Sequence, residues 1–212
     1  MAVVVVGGHS RNIGKTSVVA GLIARLPEFH WTAFKVTQYG HGFCTADGKP
    51  CQCQTADSCV SVSAERETAS GTDSSRYLAA GAARSIWVRT RIGMLGDAMP
   101  RIREEIAQSE NAILESNSIL AWLEPDLYLT VLDPSVGDFK ESAHRFLEKA
   151  DAVLWSSRDG SDHKVSELAT WTADQALTAG KPHFALAPPD YITDEVVEFV
   201  RTRLTAKIPA IR

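Results

Sequence analysis

Gly7-Gly-His-Ser-Arg-Asn-Ile-Gly-Lys-Thr-Ser17, preceded by the apolar run Ala2-Val-Val-Val-Val6, decides the fold. Five small or β-branched residues in a row read as a strand buried on both faces, the kind found inside a parallel sheet. The two glycines end it. Thr16 to Leu26 then carries helical periodicity up to the stop at Pro27. The quoted stretch is therefore a turn from a buried strand into a helix N-terminus. Such a terminus carries free N–H groups and partial positive charge, both suited to an anion.

The residue types within the turn name the anion. Gly8 and Gly14 let the backbone close around a phosphate, and His9, Asn12 and Ile13 lie on the same loop. Lys15 reaches the β- and γ-phosphates of a nucleotide, and the hydroxyl of Thr16, next to Ser17, suits Mg²⁺. The spacing departs from the common pattern: five residues, not four, separate Gly8 from Gly14-Lys-Thr16.

Outward from this loop, strands and helices alternate. Trp31–Thr37, Ser85–Arg89, Ala112–Leu114, Leu127–Leu132, Ala152–Trp155 and Phe184–Ala187 read as further strands. Asp73–Ala83, Leu95–Gln108, Phe139–Lys149, Val165–Ala179 and Asp194–Leu204 read as helices. This order predicts a single α/β domain over residues 1–212, with a mainly parallel sheet flanked by helices. Residues 39–72, rich in Gly, Ser, Thr, Asp and Cys, show no sustained periodicity and read as one long loop. Trp87, Trp122, Trp155 and Trp171 fall in apolar surroundings and read as core.

A carboxylate directly after an apolar strand suits the metal that accompanies a nucleotide. Glu115 closes Ala112-Ile-Leu-Glu115 and is the first Mg²⁺ candidate; Asp73 is the second, although it also fits as a helix N-cap. Lys35 ends the second strand beside the loop, where α/β sites form. Arg76 lies one turn beyond Asp73. Base recognition is weakly written: the stretch Trp155-Ser-Ser-Arg-Asp-Gly160 carries no Asn-Lys-x-Asp, which favours ATP over GTP. Ala187-Pro-Pro189 is a further candidate to line the base.

The net charge of −4 gives no reason to expect nucleic acid, and no apolar run is long enough to span a membrane. Ala2–Val6 is too short for a signal-peptide core, so the expected location is the cytosol. All four cysteines, Cys44, Cys51, Cys53 and Cys59, fall in the long loop, which in that compartment suggests metal or redox chemistry. Zn²⁺ or an iron–sulfur cluster are the candidates, with His41 able to replace one thiolate. The spacing Cys-x₆-Cys-x-Cys-x₅-Cys lacks the usual Cys-x₂-Cys pair.

Three segments carry a resemblance. Gly8-His-Ser-Arg-Asn-Ile-Gly-Lys-Thr16 resembles the longer phosphate loop of dethiobiotin synthetases and cobyrinic acid amide synthases. Lys35-Val-Thr-Gln-Tyr-Gly40 is similar to the dethiobiotin synthetase Lys-Pro-Val-x-x-Gly, with Val36 in place of proline. Thr72-Asp-Ser-Ser-Arg-Tyr-Leu-Ala-Ala-Gly-Ala82 resembles a segment of the molybdopterin-guanine dinucleotide biosynthesis protein B family. The resemblance covers about the first 120 residues by motif. It implies a P-loop NTPase that couples ATP hydrolysis or phosphoryl transfer to cofactor biosynthesis, with Lys15, Lys35 and Glu115 as its catalytic groups. The alternative is a nucleotide-switched accessory or metal-handling protein. It also implies a homodimer acting on a small molecule or a protein partner. Glu115-Ser116-Asn117 departs from the Glu-Gly of the related families.

Overall fold

Eight strands form one sheet, and the buried valine run lies near its middle. The computed structural model describes residues 1–40, 59–156, 175–186 and 188–206. The strands are β1 (Val3–Gly8), β2 (Trp31–Tyr39), β3 (Val60–Ala64), β4 (Arg84–Arg91), β5 (Asn111–Glu115), β6 (Leu127–Leu132), β7 (Ala152–Ser156) and β8 (His183–Leu186), in spatial order β3-β4-β2-β5-β1-β6-β7-β8. All pairings are parallel except β3 with β4.

Helices cover both faces. Val4 and Val6 of β1 face a core shared with α1 (Lys15–Arg25), α2 (Asp73–Ala79) and the C-terminal helix (Asp194–Thr205); Val5 faces the core of α3 (Leu95–Ala107). This explains an unbroken apolar run: alternate residues point to opposite layers, and both layers are dry. Two shorter helices, α4 (Glu141–Phe146) and α5 (Gln175–Thr178), precede the C-terminal one, which is α6. Among the described residues no helix is long and apolar enough to cross a membrane.

Several expectations need correction. The stretch 39–72 is not wholly irregular, because Val60-Ser-Val-Ser-Ala64 alternates with period two and adds β3 antiparallel to the edge. The helix from Asp73 stops at Ala79 because Gly81 turns left-handed (φ 100°). The N-cap of α2 is Thr72, whose hydroxyl accepts from the Ser75 N–H at 3.1 Å, not Asp73. The helix expected over Phe139–Lys149 is α4 followed by a 3₁₀ turn at Leu147–Lys149. Of the four tryptophans expected in the core, Trp155 is fully buried, Trp87 is partly buried, Trp122 is 46% exposed, and Trp171 lies outside the described residues.

Candidate nucleotide site

The register of the sheet builds the site. Glu115 ends β5 opposite Val6 of β1 on one side and Lys35 of β2 on the other. All three strands are parallel, so the ends of β1, β2 and β5 and the start of α1 meet at one rim. Binding sites in open α/β sheets form at that rim.

The phosphate loop is held from below and behind. Gly7 and Gly8 allow contacts that a side chain would prevent. A Cβ on Gly7 would lie 2.1 Å from Asn117 Oδ1, and one on Gly8 would lie 2.8 Å from the Val131 carbonyl. Asn117 uses this space: its Oδ1 accepts from the Gly8 N–H and its Nδ2 donates to the Gly8 carbonyl, both at 2.8 Å. The side-chain amide thus pairs with a backbone residue as a neighbouring strand would.

Further along, the chain turns through Asn12 (φ 55°) and Gly14 (φ 95°) into α1. Gly14 is constrained twice, since a Cβ there would also meet the Tyr191 ring at 2.5 Å. As N-cap it offers no side-chain acceptor. The N–H groups of Lys15, Thr16 and Ser17 precede the first helical hydrogen bond, from Val18 N–H to Gly14 O at 2.9 Å, and so face the loop. Lys15 folds over it, its ammonium donating to the Ser10 carbonyl; burial lowers its pKa to about 8.

A strap from Asp133 to Lys140 closes over the loop. Ser10 Oγ donates to Asp138 at 3.0 Å, and the Lys140 N–H donates to the His9 carbonyl at 2.8 Å. The His9 N–H donates to Val131 O at 3.2 Å, and its ring Nε2 lies 3.1 Å from Val136 O. His9 is fully buried, its ring set against the strap and its N–H bonded to β6. Ile13 is likewise buried, whereas Asn12 is exposed. Burial, reinforced by Arg11, lowers the Lys140 pKa to about 8, and its ammonium lies within electrostatic range of Glu115 and Lys35.

The acidic half of the site is a compact cluster. Glu115, 5% exposed, accepts from Thr16 Oγ1 at 2.8 Å, from Lys35 Nζ at 2.7 Å and from the Tyr77 hydroxyl. Lys35 also pairs with Asp73 at 2.6 Å and donates to Thr16 Oγ1 at 3.3 Å. Arg76 donates to Ser17 Oγ at 3.0 Å. Burial works against the Glu115 charge, but Lys35 and Lys15 outweigh it and hold its pKa below the usual carboxylate value. Burial also works against the Lys35 charge, and there Glu115 and Asp73 prevail and raise its pKa. Tyr77 is pushed well above the usual phenol value, by burial first and then by Glu115.

The candidates Thr16, Glu115 and Asp73 thus converge on one cation, the Lys35 ammonium. Two carboxylates and a hydroxyl around one positive charge form a hard oxygen set that fits Mg²⁺, with phosphate oxygens and water to complete it. Of the four cysteines, Cys59 is an exposed free thiol, and Cys44, Cys51 and Cys53 lie outside the described residues. Among the described residues no group of three or more His, Cys, Asp or Glu is arranged to hold a metal. Arg158–Gly160 and Ala187, weighed for base recognition, also lie outside them, and Pro188 and Pro189 are exposed. Sequence reasoning missed Tyr77, Asn117, Lys140 and Tyr191. Only Tyr77 had a signal, its place one turn beyond Asp73 on a short helix.

Solved structures share this architecture. LpxK from Aquifex aeolicus, in complex with ATP, matches with a TM-score of 0.51 and 16% identity, covering 87% of this chain and 53% of that one. What is shared is the fold, a mainly parallel sheet flanked by helices. HypB from Helicobacter pylori, in complex with nickel, matches with a TM-score of 0.47 and 17% identity, over 96% of this chain and 86% of that one. MobB from Bacillus subtilis matches with a TM-score of 0.40 and 14% identity, over 96% and 98%. No family model matches the chain, and no curated protein matches it in sequence. At 16% identity the likeness to LpxK shows the fold and leaves the reaction to the site.

Proposed function

We propose that this protein binds a nucleoside triphosphate with Mg²⁺ and cleaves or transfers its terminal phosphoryl group, with ATP as the preferred nucleotide. The observation that carries the reading is the meeting of Thr16, Glu115, Lys35 and Asp73 at the foot of a loop that the first N–H groups of α1 face. Phosphoryl transfer asks mainly for positioning and for offsetting charge. Lys15 and Lys140 bring positive charge to the phosphate side, while Glu115 and Asp73 supply oxygens for the metal. Mg²⁺ would supply charge neutralisation across the phosphates.

A cofactor-biosynthesis ligase of the dethiobiotin synthetase kind is the finer reading, supported by the Lys15–Lys35 pair beside Glu115. A nucleotide-controlled accessory protein is the second, supported by the cysteine-bearing segment that joins β2 to β3. Titration calorimetry with MgATP and MgGTP, followed by turnover without any acceptor, tests both. Binding with near-zero turnover supports the ligase; steady hydrolysis alone supports the switch. Absence of binding to either nucleotide refutes the assignment.

A further inference from the structure

The oxygen cluster beside the phosphate loop already holds a positive charge, and that charge belongs to the protein. We propose that Lys35 is a tethered stand-in for the divalent cation. In the nucleotide-free chain it occupies the metal position and keeps Mg²⁺ out. It withdraws only when the nucleotide brings both a metal and a new anion, its terminal phosphate, to receive the ammonium. The proposal rests on the reading that the site takes a Mg²⁺-nucleotide.

The geometry supports it atom by atom. The Lys35 ammonium has three N–H donors and meets three acceptors: Asp73 at 2.6 Å, Glu115 at 2.7 Å and Thr16 Oγ1 at 3.3 Å. These are the oxygens that suit the metal. The Thr16 hydroxyl gives its hydrogen to Glu115 at 2.8 Å, so its oxygen faces the ammonium as an acceptor. A metal ligand needs that same orientation, and the site is therefore preset for a cation while Lys35 fills it.

Charge and chain geometry say why the occupant must leave. Glu115, Asp73 and Lys35 together carry a single net negative charge. A dication entering with Lys35 in place would meet a like charge among the same oxygens. With Lys35 gone and no metal, the buried Glu115 carboxylate would lose its principal counter-charge. One cation at a time satisfies the cluster. The β2 backbone is fixed by its pairing with both β4 and β5, so the exchange falls to the flexible four-carbon side chain. A compact ammonium suits this task better than a planar guanidinium, because three separate single contacts are needed.

The expected consequence is ordered loading: no metal before nucleotide. Mn²⁺ titration of the nucleotide-free protein, read by electron paramagnetic resonance, tests it. Wild type should show no stoichiometric Mn²⁺, whereas Lys35→Met should bind one per chain, at least about ten-fold more tightly. Adding Glu115→Gln to Lys35→Met should remove that site. The thermal midpoint of Lys35→Met should rise with Mn²⁺ and that of wild type should not. Stoichiometric Mn²⁺ on nucleotide-free wild type overturns the proposal, as does a folded Lys35→Met with no gain. Should Lys35→Met fail to fold, Lys35→Gln takes its place, and the wild-type titration stands regardless. Binding of a fluorescent ATP analogue to wild type is measured separately; its absence defeats the nucleotide reading, while the Mn²⁺ comparison still decides the role of Lys35.

Discussion

Glu115→Gln tests the centre of the site without changing its shape. The carboxylate is buried and accepts from Lys35, Thr16 and Tyr77. The amide keeps one acceptor oxygen and turns an NH₂ toward groups that were donating. Hydrogen bonds to a charged group contribute about 1.5–3 kcal/mol each, so a simple sum would be large. Two features reduce it: Lys35 keeps Asp73 at 2.6 Å, and the hydroxyls of Thr16 and Tyr77 can rotate to accept. The net loss should be about 2–3 kcal/mol, below the roughly 3–5 kcal/mol for a buried charge left without any partner. For a chain of this size that lowers the melting midpoint by about 5–10 °C. Scanning calorimetry on nucleotide-free protein at neutral pH measures it.

The pH dependence has a fixed sign. Against the pull of burial, Lys35 and Lys15 hold the Glu115 pKa below the ordinary carboxylate value in the folded state. Its stabilisation is therefore complete above the unfolded value and disappears as pH falls through the folded one. The gap between wild type and variant should narrow below about pH 4.5. A variant melting within about 2 °C of wild type at neutral pH would refute the claim that this carboxylate organises the cluster.

Four further outcomes are expected. Lys15→Ala should abolish nucleotide turnover and binding in calorimetry while leaving the melting midpoint nearly unchanged, since its ammonium spans only the loop. Lys140→Met should weaken ATP binding by about three- to ten-fold. In wild type, affinity should fall above about pH 8, because Lys140, beside Arg11 and Asp138, must be protonated to meet a phosphate; the variant should lose part of that dependence. Asn117→Ala removes both hydrogen bonds to Gly8 and should cost about 1–3 kcal/mol in thermal unfolding, with weaker nucleotide binding because the loop loses its brace. Sedimentation with nucleotide should show a homodimer; monomer alone at high concentration would exclude it.

The parts of the fold that follow from local rules were legible in the sequence. Leu127–Leu132 is a strand from end to end as read, and α1 and α3 begin and stop within a residue of their expected limits. Buried parallel strands and periodic apolar helices announce themselves because the constraint and the residues that meet it are close in sequence. Strand β3 escaped because a five-residue Val/Ser alternation is short and the surrounding composition is that of a loop. The site divides in the same way. Lys15 and Thr16 are fixed by a contiguous motif. Asn117 and Lys140 reach it through tertiary folding, over separations such as the 109 residues between Gly8 and Asn117, and no local pattern marks them; Tyr77 is marked only by its place one turn beyond Asp73. Trp122 was misread because an apolar neighbourhood in sequence does not guarantee burial in space.

Consider finally how β4 treats the two ends of the cysteine-bearing segment. Its last N–H groups are shared out: Arg91 donates to the Cys59 carbonyl and Ile92 to the Tyr39 carbonyl, each at 2.9 Å. Entry and exit are thereby pinned on either side of one strand, about 10 Å apart, which is two strand spacings. Both anchors lie at the same rim of the sheet that bears the phosphate loop. A segment tethered in this way is a cassette. It can lengthen or shorten at the small cost of a longer loop, which grows only with the logarithm of length. The sheet beneath would not shift register, so a change of length between the two anchors would leave the rim of β1, β2 and β5 in place.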